Sequence, residues 1–330
     1  MTDKDRPDAS LRVTTPELWI CAPSRALVTA PGVPEIDAAR LEKAEDALRS
    51  LGWIVREAAN VRSLEKSFAG TDIERARGFE EAMCAPSADL VLGVRGGSGA
   101  ARILELVDWE KIAGSQAVFM GLSDMTALNL ALLAKCGKAS WQGPVAASFA
   151  VKNAVKEERF MRALSGPSFS ETMPVAGPDI TVEGTLWGGN LSVLTSLIGT
   201  PYFPDIQGGI LYLEDIHEPA WRISRMVSHL ELAGVLKKQK LILACDFTGA
   251  DKNAGQGDCR CSLADMLAQT GFPVVSGIPF GHIADTMSLP FGVKARVAVE
   301  NGTMTLTAPE CPAPTEFPGA EAANGPLWWI

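Results

Sequence analysis

Between residues 18 and 133 the chain alternates four times between a short apolar run and a segment with helical spacing of apolar residues. The apolar runs are predicted strands at residues 18–22, 53–55, 90–94 and 117–120. Leu41, Ala44 and Leu48 show the spacing of three and four that indicates a helix. Repeated strand–helix units predict an α/β fold with a parallel sheet covered by helices on both faces. Ligands bind beyond the carboxyl ends of such strands, so we expect a site among the loops there.

A second strand and helix pattern begins near residue 180, and a length of 330 residues also favours two domains. Alternation over 293–307 around Asn301-Gly302 predicts a hairpin, and further strands are predicted at 181–186, 209–213 and 241–245. We expect a polar lead-in at 1–16, an N-terminal domain at 17–150 and a linker at 151–177. A C-terminal domain at 178–308 and a proline-rich tail at 309–330 would follow.

Charge and apolar content limit the possible partners of the chain. Acidic residues outnumber lysine and arginine by 39 to 30, which gives a net charge of −9 and argues against nucleic acid and anionic membranes. No apolar stretch approaches the roughly 18 residues needed to span a membrane. Residues 1–17 also lack the apolar core of a signal peptide, so we expect a cytoplasmic protein.

The seven cysteines are scattered along the chain and odd in number. Cys259-Arg260-Cys261 contains the only close pair, and a single C-x-C without a flanking histidine is a weak metal signal. We therefore expect reduced thiols, with no metal and no cofactor.

Gly121-Leu122-Ser123-Asp124 joins the fourth predicted strand to a long apolar helix. Ser123 or Asp124 could simply cap that helix. Alternatively, Ser123 could be a nucleophile held on a tight strand-to-helix turn, as in G-x-S-x-G enzymes. Met125 stands where that motif has its second glycine, so the hydrolase signature is half met.

A serine nucleophile needs a base, and the chain has three histidines. His229 falls within a predicted helix among polar neighbours, whereas His217 follows a strand end. His282 lies in a loop bounded by glycine and proline, where its side chain could project towards a neighbouring domain. The sequence pattern is compatible with either a structural role for His282 or a role as the base.

A base histidine is usually held by a carboxylate. Glu214 ends the predicted strand 209–213, a position that often faces a cleft. The alternative is that Glu214, with Asp215 and Glu218, is an acid near the start of the next helix, where negative charge is favourable. Asp124 is a second candidate, although as the neighbour of Ser123 it would usually point away.

The glycine loop, Gly96-Gly97-Ser98-Gly99, follows the third predicted strand and precedes a helix predicted through Ile103 and Leu106. Its backbone could approach a ligand closely and donate N–H groups to an oxyanion. A tight strand–helix turn is the alternative. The loop lacks the glycine spacing and the lysine of nucleotide-binding motifs.

Four ordered blocks resemble the signature segments of the serine LD-carboxypeptidases, also called muramoyltetrapeptide carboxypeptidases. The blocks are RGGSGAAR at 95–102, GLSDMTAL at 121–128, LEDIHE at 213–218 and PFGH at 279–282. The segment FAGTDIER at 68–75 also resembles this family.

The resemblance implies an N-terminal sandwich like that of class I glutamine amidotransferases and a smaller C-terminal α/β domain. It implies a homodimer with the site in the cleft between domains, where Ser123 is the nucleophile, His282 the base and Glu214 the orienting carboxylate. The backbone N–H groups of Asp124 and Gly97 would then form the oxyanion hole. The implied reaction releases terminal D-alanine from a murein tetrapeptide in the cytoplasm during cell-wall recycling, without a metal.

The substrate is less defined by the resemblance. Ser98 replaces the tyrosine that this family usually has in the glycine loop, and the family includes a branch that inactivates peptide–nucleotide antibiotics of the microcin type. From their loop positions, Gly96 and Ser98 are expected to border the substrate, and Arg95 or Arg102 to bind its terminal carboxylate. A non-catalytic muropeptide-binding protein is the alternative from another functional class.

Overall fold

A computed structural model of the chain describes residues 15–250, 267, 270–315 and 317. Its strands form a six-stranded and a seven-stranded sheet, so the predicted α/β class is confirmed. The Cys259-Arg260-Cys261 pair and the terminal Trp328-Trp329-Ile330 lie outside the described residues.

The first sheet contains the predicted parallel strands in the order β11-β5-β4-β3-β1-β2. The first five strands along the chain pair in parallel, and β11 pairs antiparallel with β5 at one edge. The strands are β1 (Glu17–Cys21), β2 (Ile54–Glu57), β3 (Ala88–Gly93), β4 (Val118–Gly121), β5 (Ser140–Gln142) and β11 (Leu289–Phe291).

Three of the four helices around this sheet, α1 to α3, begin at a residue whose side chain caps them. Thr71 and Glu74 form a reciprocal capping box at the start of α2, while Asp37 accepts from Arg40 N at 3.0 Å at the start of α1. The helices are α1 (Ala38–Ser50), α2 (Asp72–Cys84), α3 (Trp109–Ala113) and α4 (Thr126–Cys136).

The prediction of a helix through Ile103 and Leu106 is wrong. A 3₁₀ turn, Ala100–Ile103, follows the glycine loop instead, and α3 begins later, at Trp109. Leu106 is exposed, so its spacing from Ile103 does not reflect a buried helix face. Asp108 accepts from Lys111 N and caps α3, which places the helix start after Leu106.

The second sheet has the order β10-β9-β8-β7-β12-β13-β6. Strands β7 to β10 pair in parallel, and the predicted hairpin around Asn301-Gly302 is confirmed as the antiparallel pair β12–β13. The strands are β6 (Phe169–Pro174), β7 (Ile180–Asn190), β8 (Gly209–Ile216), β9 (Gln239–Thr248), β10 (Val274–Ser276), β12 (Val293–Glu300) and β13 (Thr303–Ala308). The helices of this half are α5 (Ala154–Leu164), α6 (Leu191–Ser196) and α7 (Ala220–Leu232).

The segment 151–177, expected to be a linker, contains α5 and β6. Phe169 and Met173 of β6 are buried, and the strand pairs with β13 at the edge of the second sheet. This segment is therefore folded onto the second sheet along part of its length.

One segment of the chain serves both sheets. After β10 in the second sheet, the chain passes through the loop that carries His282 and then enters β11 in the first sheet before returning to β12. The loop bearing His282 is thus held at both ends, once by each sheet. No helix within the described residues is long and apolar enough to cross a membrane.

Candidate active site

Ser123 lies on a tight turn directly after β4. Its φ angle is +67°, in the left-handed region that few residues other than glycine adopt, and Leu122 before it is extended. Such backbone conformations often accompany functional sites. The Ser123 side chain does not cap the helix and makes no hydrogen bond to a described residue. Its hydroxyl group is therefore available for chemistry.

Gly96 lies directly against Ser123. A Cβ atom placed on Gly96 would lie 2.7 Å from Ser123 Cβ and 2.9 Å from Ser123 Oγ. Gly97 has a φ of +138°, and a Cβ atom there would lie 2.7 Å from Cγ of Arg25. The glycine loop thus approaches Ser123 on one side and Arg25 on the other, and neither contact leaves space for a side chain.

Asp124 fixes three loops with one carboxylate. Its Oδ2 accepts from Ala100 N at 2.9 Å and from the Ser24 hydroxyl, which joins the loops after β1 and β3 to the turn after β4. The alternative that Asp124 caps the helix is therefore wrong, because its side chain turns away from α4 towards the neighbouring loops. Burial raises the pKa of its carboxyl group, and the Ser24 and Ala100 hydrogen bonds oppose this effect.

Glu214 and His282 form a partly buried pair, with 2.8 Å between Glu214 Oε2 and His282 Nδ1. Glu214 is fully buried within β8, and the His282 side chain is 20% exposed. Burial lowers the pKa of His282, but the hydrogen bond and charge of Glu214, with the charges of Asp215 and Asp246, leave it above its usual value. A proton on Nδ1 directed at Glu214 leaves Nε2 as the acceptor.

Asn190, at the end of β7, is a residue of the site that the sequence reasoning missed. Its Nδ2 donates to Glu214 Oε1 at 3.1 Å and to Asp215 Oδ1 at 3.0 Å. Its backbone N–H donates to Thr126 Oγ1 at 3.1 Å. Asn190 therefore links the first turn of α4, close to Ser123, to the Glu214–His282 pair. The sequence signal that could have found it was its place after Gly188-Gly189 at a strand end.

Asp215 is the second carboxylate beside this pair. It also accepts from Ser192 N at 2.9 Å. Burial raises the pKa of Asp215 to about 6, and the charge of Glu214 also raises it. Hydrogen bonds from the Ile216 and Ser192 backbone and from the Asn190 side chain lower it in part. Asn190 therefore bridges two carboxylates that would otherwise repel one another.

The other two histidines occupy different places. His229 is exposed on α7, in agreement with the solvated helix position predicted for it. His217 follows β8 with a φ of +58°, and its ring lies against Gly249. Glu218 pairs with Arg222 of α7, as an acid near a helix start often does. His282 is thus the histidine that the structure pairs with Glu214.

The two arginines expected to meet a substrate carboxylate differ in their contacts. Arg102 is paired with Asp72 at 2.7 Å and lies over the Phe68 ring, 5.1 Å from its centroid. Arg95 is half-buried, and its contacts are with carbonyl oxygens: Nε donates to Gly96 O at 3.2 Å and Nη1 to Ala26 O at 3.4 Å. No carboxylate of a described residue pairs with Arg95, whereas Arg102 is paired with Asp72.

Ser98 is exposed in the glycine loop, and its hydroxyl accepts from Arg25 Nε at 3.3 Å. Among the described residues, no group of three or more histidine, cysteine or acidic side chains is placed to hold a metal ion. The chemistry that this site offers is that of a serine hydroxyl, an imidazole–carboxylate pair and backbone donors.

Both halves of the chain match one family of known proteins. Residues 20–143 match the LD-carboxypeptidase N-terminal domain, and residues 183–297 match the LD-carboxypeptidase C-terminal domain. The chain belongs to the LD-carboxypeptidase family. Its members are peptidases, so the assignment supports a hydrolase with a carboxypeptidase role.

Similar proteins from three organisms support the assignment. A provisionally named carboxypeptidase of Streptomyces coelicolor is 34% identical over 302 residues, covering 88% of this chain and 96% of the relative. The crystal structure of muramoyltetrapeptide carboxypeptidase from Oxalobacter formigenes is 35% identical with a TM-score of 0.79, covering 91% of this chain and 100% of that one. The microcin C7 self-immunity protein of Escherichia coli is 26% identical, covering 72% of this chain and 79% of the relative. The two branches anticipated from the sequence motifs are thus both among the relatives.

Proposed function

We propose that the chain is a serine carboxypeptidase that cleaves an LD-peptide bond and releases terminal D-alanine from murein tetrapeptides. The Glu214–His282 pair carries this proposal, because Asn190 and Thr126 connect it to the turn that presents Ser123. A hydroxyl, a base and an orienting carboxylate are the three groups of a serine hydrolase triad.

In the proposed reaction, His282 Nε2 takes the Ser123 hydroxyl proton as Oγ attacks the carbonyl carbon before D-alanine. The proton then passes from His282 to the departing D-alanine amine, which leaves an acyl group esterified to Ser123. Water, deprotonated by the same imidazole, attacks the ester. His282 then returns the proton to Ser123 Oγ, which frees the shortened peptide and restores the serine hydroxyl. Glu214 fixes the tautomer and stabilises the imidazolium throughout.

The oxyanion of each tetrahedral intermediate needs donors, and we assign this role to the N–H groups of Asp124 and Gly97. Asp124 follows the nucleophile at the start of a helical turn, where N–H groups lack carbonyl partners within the helix. Gly97 neighbours Gly96, which contacts Ser123. One such donor is typically worth about 3–4 kcal/mol in the transition state.

Ser123 Oγ and His282 are not hydrogen-bonded in this structure. Catalytic hydrogen bonds of this kind are often long without substrate and tighten in the reacting complex. Ser123 and His282 come from loops on different sheets, so a peptide bound between them can draw the two together.

The setting proposed for this activity is the cytoplasm, during cell-wall recycling, with a small muropeptide as substrate and a homodimer as the working form. Support comes from the family resemblance of the motifs and from the relative named muramoyltetrapeptide carboxypeptidase. The net charge of −9 also disfavours nucleic acid as a substrate.

The second candidate is hydrolysis of the amide that joins an aminoacyl group to a nucleotide. The microcin C7 self-immunity relative favours it.

Mass spectrometry of a tetrapeptide digest tests the proposal. We expect the mass of one alanine residue to be lost from L-Ala-γ-D-Glu-L-Lys-D-Ala, and no loss when L-alanine replaces the terminal D-alanine. A higher kcat/KM for an aminoacyl sulfamoyl nucleoside than for the tetrapeptide would favour the second candidate. Tight binding of the tetrapeptide without turnover would instead indicate a muropeptide-binding protein.

A further inference from the structure

Three arginines and a lysine line one cavity beside the glycine loop. The arginine cavity, as we call it, has a volume of about 370 Å³ and contains Arg25, Arg40, Arg95 and Lys66 in its wall. Arg25 follows β1, Arg95 follows β3, and Arg40 belongs to the first turn of α1. Four cationic side chains thus converge on one cavity in a chain whose net charge is −9.

Among the described residues, those that line the arginine cavity besides the four cations are alanine, valine, threonine, proline, glycine and serine, and none is acidic. Within the described part of the chain, none of the four cations lies within 4.0 Å of a carboxylate oxygen, whereas several other arginines form ion pairs. The pKa of Arg95 is lowered by burial and by the charges of Arg25 and Arg40. Like charges brought together in this way favour the binding of an anion among them.

The contacts of the arginines within the protein are with neutral oxygens. Arg40 Nε donates to Ala147 O at 3.3 Å, and Arg25 Nε to Ser98 Oγ at 3.3 Å. These bonds use one N–H of each guanidinium and hold the side chains in place. The remaining N–H groups can bind an oxyanion, for which the planar guanidinium is well suited.

The glycine loop separates the arginine cavity from Ser123. Gly96 contacts the Ser123 side chain, and the next residue, Gly97, contacts the Arg25 side chain. An extended ligand with one group at Ser123 therefore needs to cross only this loop to place another group in the cavity.

We propose that the arginine cavity is a subsite for an oxyanionic group, a carboxylate or a phosphate, of the molecule that reacts at Ser123. The subsite deepens the proposed function and rests on it for the identity of the substrate. It replaces the expectation that Arg102 meets a substrate carboxylate, because Arg102 is already paired with Asp72. Arg25, Arg40 and Arg95 are the residues that recognise the anion.

Binding of inorganic phosphate tests the subsite without any turnover. We expect phosphate to raise the Tm of the wild-type protein relative to sodium chloride of equal ionic strength, because a ligand that binds only the native state stabilises it. The increase should be lost in Arg25→Gln and Arg40→Gln, which should still fold because both side chains are exposed. Arg77→Gln, at an exposed arginine of α2 outside the cavity, should retain it.

Matched substrates then identify the source of the anion. One pair is L-Ala-γ-D-Glu-L-Lys-D-Ala and its isoglutamine analogue, which differ by one carboxylate; a D-alaninamide terminus removes the other. We expect Arg25→Gln and Arg40→Gln to lower kcat/KM roughly 10- to 100-fold for the substrate bearing the recognised carboxylate and much less for its amide. An aminoacyl adenylate analogue, with and without its phosphate, tests the nucleotide source in the same way.

The two assays separate the subsite from the reaction. Equal phosphate stabilisation of all four proteins, or none in the wild type, would overturn the subsite whatever the enzyme cleaves. Equal effects of the arginine variants on every acid and its amide would overturn its role in substrate recognition. Phosphate binding that depends on the arginines, in a protein that cleaves no tetrapeptide, would retain the subsite and refute the proposed function.

Discussion

Gly96 is the residue whose replacement should affect Ser123 most directly. An alanine methyl group at this position would lie 2.7 Å from Ser123 Cβ, closer than side-chain carbons approach. We predict that Gly96→Ala lowers kcat/KM by about 10²-fold or more, since small displacements of a reacting group have effects of this size. Steady-state kinetics measure the effect, and the Tm checks the fold.

The control for this substitution is Gly166→Ala. Gly166 has open space around its Cα and does not have a positive φ, so an added methyl group should change neither activity nor Tm. Wild-type kcat/KM in Gly96→Ala would show that Gly96 does not contact Ser123 in the working enzyme.

The Glu214–His282 pair should determine the pH dependence of the reaction. The base is the neutral imidazole, so kcat/KM should rise with pH through the His282 pKa. This midpoint should lie above 6.5, because Glu214 stabilises the charged form. In Glu214→Gln that stabilisation is lost, and the midpoint should move to lower pH while kcat falls.

Glu218→Gln is the matched control for the pH profile, since Glu218 pairs with Arg222 on α7. Its midpoint should equal that of the wild type. A midpoint unchanged in Glu214→Gln would mean that another group titrates in the profile.

Position in the sequence made Ser123, Glu214 and His282 candidates: Ser123 follows a predicted strand in a Gly-Leu-Ser turn, Glu214 ends another strand, and the chain has three histidines. The family resemblance then implied their roles as nucleophile, orienting carboxylate and base. The contacts of Asp124 and Asn190 could not be predicted in the same way. Asp124 meets Ser24 across 100 residues, and Asn190 meets Thr126 across 64. Contacts at such separations depend on the completed fold rather than on any local pattern.

At the scale of elements, Asn190 combines two roles at the junction of β7 and α6. Its Oδ1 accepts from Val193 N at 3.1 Å and caps α6, while its Nδ2 binds Glu214 and Asp215. Asn190→Ser separates these roles, because serine caps helices well but lacks the amide donors.

We predict that Asn190→Ser lowers kcat roughly 10-fold or more and shifts the pH midpoint of kcat/KM. Loss of a donor to a buried carboxylate should also cost about 1–3 kcal/mol of unfolding free energy. Asp108→Ala, which removes only the cap of α3, should cost about 1 kcal/mol and leave kcat unchanged. A wild-type kcat and midpoint in Asn190→Ser would refute a positioning role for Asn190.

The longer elements were predictable because their apolar periodicity extends over several residues. Strands β1 and β3, helices α1 and α2 and the β12–β13 hairpin all lie where the pattern placed them. Strands β5 and β11 have three residues each, too few for a period to show. Their pairing depends instead on the edge that β4 and β5 offer in the assembled sheet.

At the scale of the whole molecule, the two sheets share structure on both sides of the site. Strand β11 belongs to the first sheet, although along the chain it lies between β10 and β12 of the second sheet. Trp141 Nε1 of β5 donates to the carbonyl oxygen of Pro312, a residue that follows β13, at 2.7 Å. The rings of Trp53 and Phe317 also meet in a T-shaped contact, with centroids 5.9 Å apart. Neither sheet can unfold without losing contacts made by the other.

We therefore predict one cooperative unfolding transition despite the two-domain length. Calorimetric and van't Hoff enthalpies should agree, and tryptophan fluorescence and far-ultraviolet circular dichroism should have the same midpoint. Two resolved transitions would mean that the sheets are independent and that the His282 loop is not held by both.

The most direct test of the proposed reaction is the kcat for D-alanine release by purified Ser123→Ala protein. Removing the nucleophile of a triad typically lowers kcat by roughly 10⁴-fold or more. We expect a loss of this size with an unchanged Tm, because the Ser123 hydroxyl makes no hydrogen bond to a described residue. D-alanine release by Ser123→Ala at a rate close to that of the wild type would contradict the assignment of Ser123 as the nucleophile.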